Sequence, residues 1–375
     1  MTTYTDITGA DRGFNVGADV VTRTADGIDL NVIWTEFQSS LAEVNRIRSV
    51  ISRLFTFDTT DTHALVAGDG ERTEFEEASE FGLPKAARAT PTYSRMGYPI
   101  AWYDLAARYT RQFLRDASRA QVDAVHANIL EADNRLLFRK TLGALTTPGE
   151  AQARDTGLTV YSLYRGASTD VPPPYAGRTF APGHTHYLVS GAATVDGGDL
   201  RDLIVHIQEH GHGLRASGER LVIMVNPNEG GVIRSLRRDP DNLTQNPFDF
   251  IPSSANPAYL TDQEIVGNLP PAEFNGLPII GSYGDALIFE SHYIPSGYVL
   301  AVATGGPNYS RNPLAFRQHP STESQGLRMI PGEAPNYPLT GAHYERGFGV
   351  AVRHRGAAAV MQIKASGTFE PPTWP

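Results

Sequence analysis

The chain of 375 residues contains no cysteine, which excludes a disulfide framework, thiolate metal sites and a cysteine nucleophile. Lysine is nearly absent as well: Lys85, Lys140 and Lys364 are the only lysines among 32 basic residues, so arginine carries the positive charge. That charge is itself in deficit. Against 41 acidic residues the formal net charge is −9, and no global basic field exists to hold a polyanion. No run approaches the ~18 apolar residues of a membrane span, and the opening Met1-Thr2-Thr3-Tyr4-Thr5-Asp6 has neither the basic nor the apolar region of an export signal. Glycine and proline are in surplus, 36 and 26 residues, well above an ordinary combined usage of about 12%. That surplus predicts turns, long loops and bent strands and excludes an all-helical protein. At roughly 150 residues per domain, the length predicts two or three structural units.

Leu30, Ile33, Trp34, Phe37, Leu41, Val44, Val50, Ile51 and Leu54 recur at steps of three and four, which predicts helix over 30–55 with one apolar face. Asp26-Gly27 and Asp29 supply the turn and an N-cap before it. From Thr56 to Pro99 short β-prone pieces alternate with polar turns and read as a long hairpin-like excursion. Because ordinary connections run about 4–6 residues, such an excursion predicts an arm that packs on something outside its own chain. A helical stripe follows through Trp102, Leu105, Tyr109, Phe113, Ala117, Val122, Val125, Ile129, Leu136, Leu137, Leu142 and Leu145. It is either broken near Arg115 to Ala120 or continuous as a spine, with the face of Trp102, Leu105, Tyr109, Phe113, Leu136 and Leu142 buried. Beyond it, Thr159 to Leu163 reads as a strand, Asp199 caps a helix over Leu200 to His210, and Leu221 to Val225 reads as a buried strand. Arg234 to Pro271 is loop-rich, Leu277 to Ile280, Ala286 to Tyr293 and Tyr298 to Ala303 are strand-like, and Gly347 to Lys364 reads as two strands turning at Arg355-Gly356.

Candidate chemistry is sparse. His184, His186, His206, His210 and His212 form the one histidine cluster, with His206 and His210 four apart on a helical face. Zinc needs three or four converging ligands, and His206-x-x-x-His210 lacks the glutamate of a His-Glu-x-x-His motif, so hydrogen bonding at a helix end and its neighbouring strand is the favoured reading, no metal site is expected, and a metal-dependent enzyme is the alternative from a different class. Glu71, Glu74, Glu76, Glu77 and Glu80 crowd the excursion; on a loop such a run is solvated or partner-facing charge, not a glycosidase-like pair. Arg234, Arg237 and Arg238, and Arg346, Arg353 and Arg355, lack interleaved aromatics and read as ion-pairing groups before phosphate contacts. No Gly-x-Ser-x-Gly, phosphate-cradling Gly-x-x-x-x-Gly-Lys or dinucleotide glycine fingerprint occurs. No cofactor is expected.

The order of elements, and several strings, resemble the major capsid proteins of tailed phages with the Hong Kong 97-like fold, above all those of actinobacterial phages. The strings are Ala25-Asp26-Gly27-Ile28-Asp29-Leu30-Asn31, Phe75-Glu76-Glu77-Ala78-Ser79-Glu80-Phe81-Gly82, Trp102 to Thr110, Leu130 to Leu136, and His184-Thr185-His186-Tyr187-Leu188-Val189-Ser190-Gly191. The resemblance implies an α+β fold with an N-terminal arm (1–55), an extended loop (56–100), a spine helix and peripheral domain (101–198), an axial domain (199–305) and a return to the peripheral domain (306–375). It implies a structural, non-enzymatic protein that assembles with itself as pentamers and hexamers into the icosahedral shell around double-stranded DNA, bound without sequence specificity. Assembly in the host cytoplasm, a portal and no membrane go with it. With the first helix beginning near Leu30, a separate scaffolding protein or none is expected. An encapsulin-type compartment is the alternative within the fold. Some relatives join an extended-loop lysine to an asparagine of another subunit, and Lys85 is the only lysine in the loop, with Asn308, Asn312 and Asn336 as acceptors among which no local pattern chooses. A plain exposed lysine explains Lys85 equally well.

Overall fold

The computed structural model describes residues 21–47, 50–67, 77, 93–106, 109–255, 269–333 and 339–374. The chain divides into two units, one from Met1–Arg46, Tyr103–Asp133 and Leu327–Arg346, the other from Ile47–Trp102, Asn134–Gly326 and Gly347–Pro375.

In the smaller unit, helix α1 (Leu30–Ile47) follows Asp29, whose carboxylate accepts the Asn31 N–H at 2.8 Å, as expected of an N-cap. Leu30, Ile33, Phe37 and Leu41 face inward from it. The larger unit takes up the same apolar pattern in the short helix α2 (Val50–Leu54). The long stripe is broken at residues 117–118, inside the 115–120 span given as one of the two alternatives, and its first part from Trp102 is not helix. Ala101–Ala106 is a strand, Arg111–Asp116 is helix α3, and Arg119–Thr146 is helix α4. The break has local causes. The Thr110 hydroxyl caps α3 by accepting the Phe113 N–H, and Ala117 then turns extended at ψ 141. Helix α4 restarts because the Gln121 side chain accepts the Ser118 N–H at 2.9 Å and Asp26 accepts the Arg119 N–H at 3.1 Å.

The expected buried face is met at Tyr109 and at Leu142 of α4 and not at Leu136, which is half-buried. Within the smaller unit the buried face of α4 runs through Val122, His126, Ile129 and Asp133. Phe37 stacks on the His126 ring at 3.9 Å, and Ser40 and the Tyr344 hydroxyl each lie 2.7 Å from one of its nitrogens. Asp133 pairs with Arg346, Nη2 to Oδ2 at 2.7 Å. Trp102 and Leu105 remain 49% and 48% exposed. Strands Leu327–Ile330 and His343–Val352 pair antiparallel from Leu327↔Arg346 to Ile330↔His343.

The larger unit is centred on a seven-stranded mixed sheet. Its order is Tyr187–Val189, Ala358–Gln362, Tyr298–Thr304, Arg220–Val225, Ala286–Glu290, Gly281–Tyr283 and Phe250–Pro252. The central strand reads as an unbroken apolar run because both of its faces are covered. Leu221, Ile223 and Val225 pack with Leu200, Leu203 and Ile207 of helix α5 (Gly197–Gln208). Val222 and Met224 pack with Phe55 and with Leu142 and Leu145 near the end of α4. The α5 cap is Asp196, not Asp199. The two form a reciprocal capping box, and burial raises the Asp199 carboxyl to about 6. Helix α6 (Pro227–Arg234) falls at the edge of the stretch expected to be loop, capped by Asn226 with Pro227 at its first position.

Strand Thr56–Thr59 runs parallel to Leu314–Gln318, which pairs antiparallel with the end of His343–Val352. His63–Ala67 and Tyr93–Gly97 form the antiparallel base of the expected hairpin excursion. The two C-terminal strands do not form the hairpin expected at Arg355-Gly356. Residues 348–352 pair with Leu314–Gln318, whereas Ala358–Gln362 enters the seven-stranded sheet. No helix among the described residues is long and apolar enough to cross a membrane.

Candidate functional site

Three stretches of the larger unit converge on one group of histidines. The backbone at residue 186 is held from two sides, its N–H donating to the Tyr164 carbonyl at 2.7 Å and its carbonyl accepting the Val360 N–H at 2.8 Å. The fully buried His186 ring sets Nδ1 2.7 Å from the Ala358 carbonyl. A carbonyl only accepts, so Nδ1 of the neutral ring carries the proton and Nε2 presents its lone pair. His210 arrives just beyond α5, where Gly211 takes φ +76. Gly356 lies against it, and a Cβ at that position would stand 2.7 Å from the His210 side chain. The Nε2 of His210 lies 3.0 Å from the Nε2 of both His184 and His186.

Phe180 stacks on His210 at 4.2 Å, and His206 stacks on His184 at 4.9 Å. Burial is the main cause that lowers these groups, and the neighbouring imidazoles add to it: His184 falls to about 4, His210 to about 3, and His186 goes well below its ordinary value. All three rings are therefore neutral at pH 7. The group that converges is not the helical pair expected from the i, i+4 spacing. His184, His186 and His210 hold ring nitrogens within 4.8 Å of one another, while His206 offers a ring face and His212 turns toward Glu219.

The arginine candidates are largely engaged. Arg346 is buried against Asp133, Arg234 meets Glu290 at 2.6 Å, and Arg355 pairs with Asp170 while lying over the Tyr164 ring. Arg237 donates to the carbonyls of Arg234 and Leu236. A cleft of about 540 Å³ beside Arg355 is lined by Glu150, Tyr161, Tyr164 and Asp170, with Val66, Ser94 and Met96 contributed by the hairpin strands. Glu219 and Arg311 form a further pair at 2.6 Å that no sequence signal marked, since neither lies in a charge run.

Lys85, Asn336, Glu71, Glu74, Glu76 and Glu80 lie outside the described residues, and Glu77 is exposed. Of the two described asparagines, Asn312 is fully buried, donating to the Thr56 and Gly306 carbonyls and accepting the Gly305 N–H. Asn308 is exposed, at φ +58, and accepts the Asp58 N–H.

A two-sided mixed sheet, a long helix and a paired hairpin base belong to a fold of the α+β class, the Hong Kong 97-like capsid fold. No protein-family model matches the chain, and no curated protein matches it. A solved structure from Mycobacterium phage Patience is 39% identical, covers 97% of this chain and 97% of its own, and superposes with a TM-score of 0.72. The capsid of a native GTA particle is 14% identical over 85% of this chain and 91% of its own, with a TM-score of 0.45. The mature capsid of bacteriophage PhiM1 is 10% identical over 85% and 88%, with a TM-score of 0.43. The chain belongs to the major capsid proteins of tailed phages. It is a structural protein of the shell and not an enzyme.

Proposed function

We propose that the chain assembles as pentamers and hexamers into a closed icosahedral shell around a double-stranded DNA genome. The observation that carries this reading is the 39% identity to the Mycobacterium phage Patience structure along 97% of both chains. The division into arm (1–55), extended loop (56–100), spine helix and peripheral domain (101–198), axial domain (199–305) and return (306–375) belongs to the same reading. So do assembly in the host cytoplasm, a portal and a separate scaffolding protein as partners, and DNA held without sequence specificity. Rings of five and six built from one chain need adaptable contacts, and arms that reach over neighbours bury area without demanding one fixed angle. Exposed apolar side chains such as Leu65, Trp102 and Leu105 are suited to those contacts. The negative net charge keeps the wall from holding packaged phosphate.

Lys85 is the inter-subunit residue of this reading. A covalent bond from it to a neighbour needs a neutral amine and an accessible carboxamide. Asn312 is fully hydrogen-bonded in the interior, which leaves the exposed Asn308 as the acceptor among the described residues. Surface lysines are ordinarily solvated and charged, so a plain contact is the expected outcome. Denatured particles should run as a single band at monomer mass on a gel. A ladder of multimers abolished by Lys85→Arg would establish the bond.

A further inference from the structure

We propose that His184, His186 and His210 form a structural binding site for one divalent transition-metal ion of the zinc class, ligated through their three Nε2 atoms. The site lies outside any shell-forming role assigned above and does not depend on it. Its basis is a hydrogen-bond count that protons do not close. Ala358 takes the only N–H of His186, so the Nε2 of His186 must accept. The Nε2 of His210 stands 3.0 Å from it and equally 3.0 Å from the Nε2 of His184. If His210 carries a proton on Nε2, that one hydrogen serves both contacts and neither well. If it does not, two lone pairs face each other across 3.0 Å in the His186 pocket. A cation at the centre satisfies all three nitrogens at once.

The spacing fits such an ion. Metal–nitrogen bonds of about 2.0–2.1 Å at tetrahedral angles put ligand nitrogens about 3.3 Å apart; two of the separations are 3.0 Å, and the third, between His184 and His186, lies within 4.8 Å. The surroundings fit as well. Metal-bound histidines characteristically donate their second N–H to a carbonyl or carboxylate, which fixes the tautomer, and the His186 contact to Ala358 is that arrangement. Imidazole-only ligation suits zinc, copper, nickel or cobalt and not calcium or magnesium. His184 and His210 are half-buried, which leaves a fourth position to solvent. No carboxylate belongs to the group among the described residues, so the site has no general base and its role is to clip. It ties residues 184–186, ahead of strand Tyr187–Val189, to the end of α5, and stabilises the unit in proportion to metal concentration over dissociation constant.

Cobalt(II) titrated into chelator-treated full-length protein tests the site through the visible absorption of nitrogen-ligated cobalt. The expected result is saturation at one equivalent per chain. His184→Gln, at a half-buried position, should weaken binding by about tenfold or more, and His206→Gln should leave the titration unchanged. Absence of saturable absorption in the wild-type protein overturns the proposal. So does an unchanged titration in His184→Gln, or an equal loss in His206→Gln.

Discussion

At the scale of single residues, the polar groups inside the smaller unit are held by partners whose removal has a calculable effect. The side chains of Asp133 and Arg346 are 3% and 4% exposed. Burial pushes the Asp133 carboxyl up, and the Arg346 guanidinium opposes that without cancelling it. Taking away one partner leaves a buried charge alone, so Asp133→Ala should lower the unfolding free energy by roughly 3–5 kcal/mol. Asp133→Leu combined with Arg346→Met should recover most of it. Urea unfolding of the three proteins checks this, and a double variant as unstable as the single one contradicts it.

His354 gives a pH dependence at the same scale. Burial holds it down to about 4, helped by Arg353, His212 and Arg311 and opposed by its bond to the Ser310 carbonyl. A histidine whose folded value lies below its ordinary 6.5 takes up protons more readily when the chain is unfolded. Its contribution is therefore fully present above pH 6.5 and is lost as the pH falls toward 4, on the order of 1–3 kcal/mol in all. Thermal unfolding at several pH values should show a shallower acid decline in His354→Gln than in wild type, and parallel curves would refute the assignment.

At the scale of elements, α4 shows what periodicity conveys and what it misses. The stripe was legible as helix from Val122 onward, but an apolar count passes over His126 and Asp133, which face inward because Ser40, Tyr344 and Arg346 satisfy them. The inward position near the middle of α4 is consequently Leu137, 1% exposed, while Leu136 is half-buried. Leu137→Asp should destabilise by several kcal/mol, on the order of 3 or more, and Leu136→Asp by clearly less. Equal melting temperatures for the two variants would contradict this face assignment.

Trp102 and Leu105 carried helical spacing into a strand because Ala101–Ala106 pairs with His343–Val352, and tertiary pairing overrides a short periodic match. Helix α6 was missed because Gly230-Gly231 depresses its propensity, although Asn226-Pro227 is a start signal in plain view. At Gly230 a Cβ would meet the Glu290 carboxylate, the far end of a side chain that would have to shift. The histidine cluster was legible as a cluster. Which three of its members converge depends on sheet order, which places His186 beside Ala358 and is not written in local spacing. At the hairpin, deleting Gly68 to Ala89 should leave the paired strands His63–Ala67 and Tyr93–Gly97 and a folded subunit that fails to close shells. Normal particles from that variant would show that the excursion is not an inter-subunit arm.

At the scale of the whole molecule, composition and fold agree. A surplus of glycine and proline, a negative net charge and the absence of cysteine suit a chain whose stability and function come from apolar cores and from contacts with its own copies. Both faces of the central sheet are covered within the larger unit, so that unit has a core of its own before any neighbour docks. The hairpin strands and the exposed Leu65, Trp102 and Leu105 are, among the described residues, part of the surface available to other subunits. The most direct test is electron microscopy of the purified chain expressed alone and together with the scaffolding protein proposed above. Closed icosahedral particles with five-fold and six-fold rings are the expected result. A protein that stays monomeric in both preparations, with neither rings nor particles, would contradict the account.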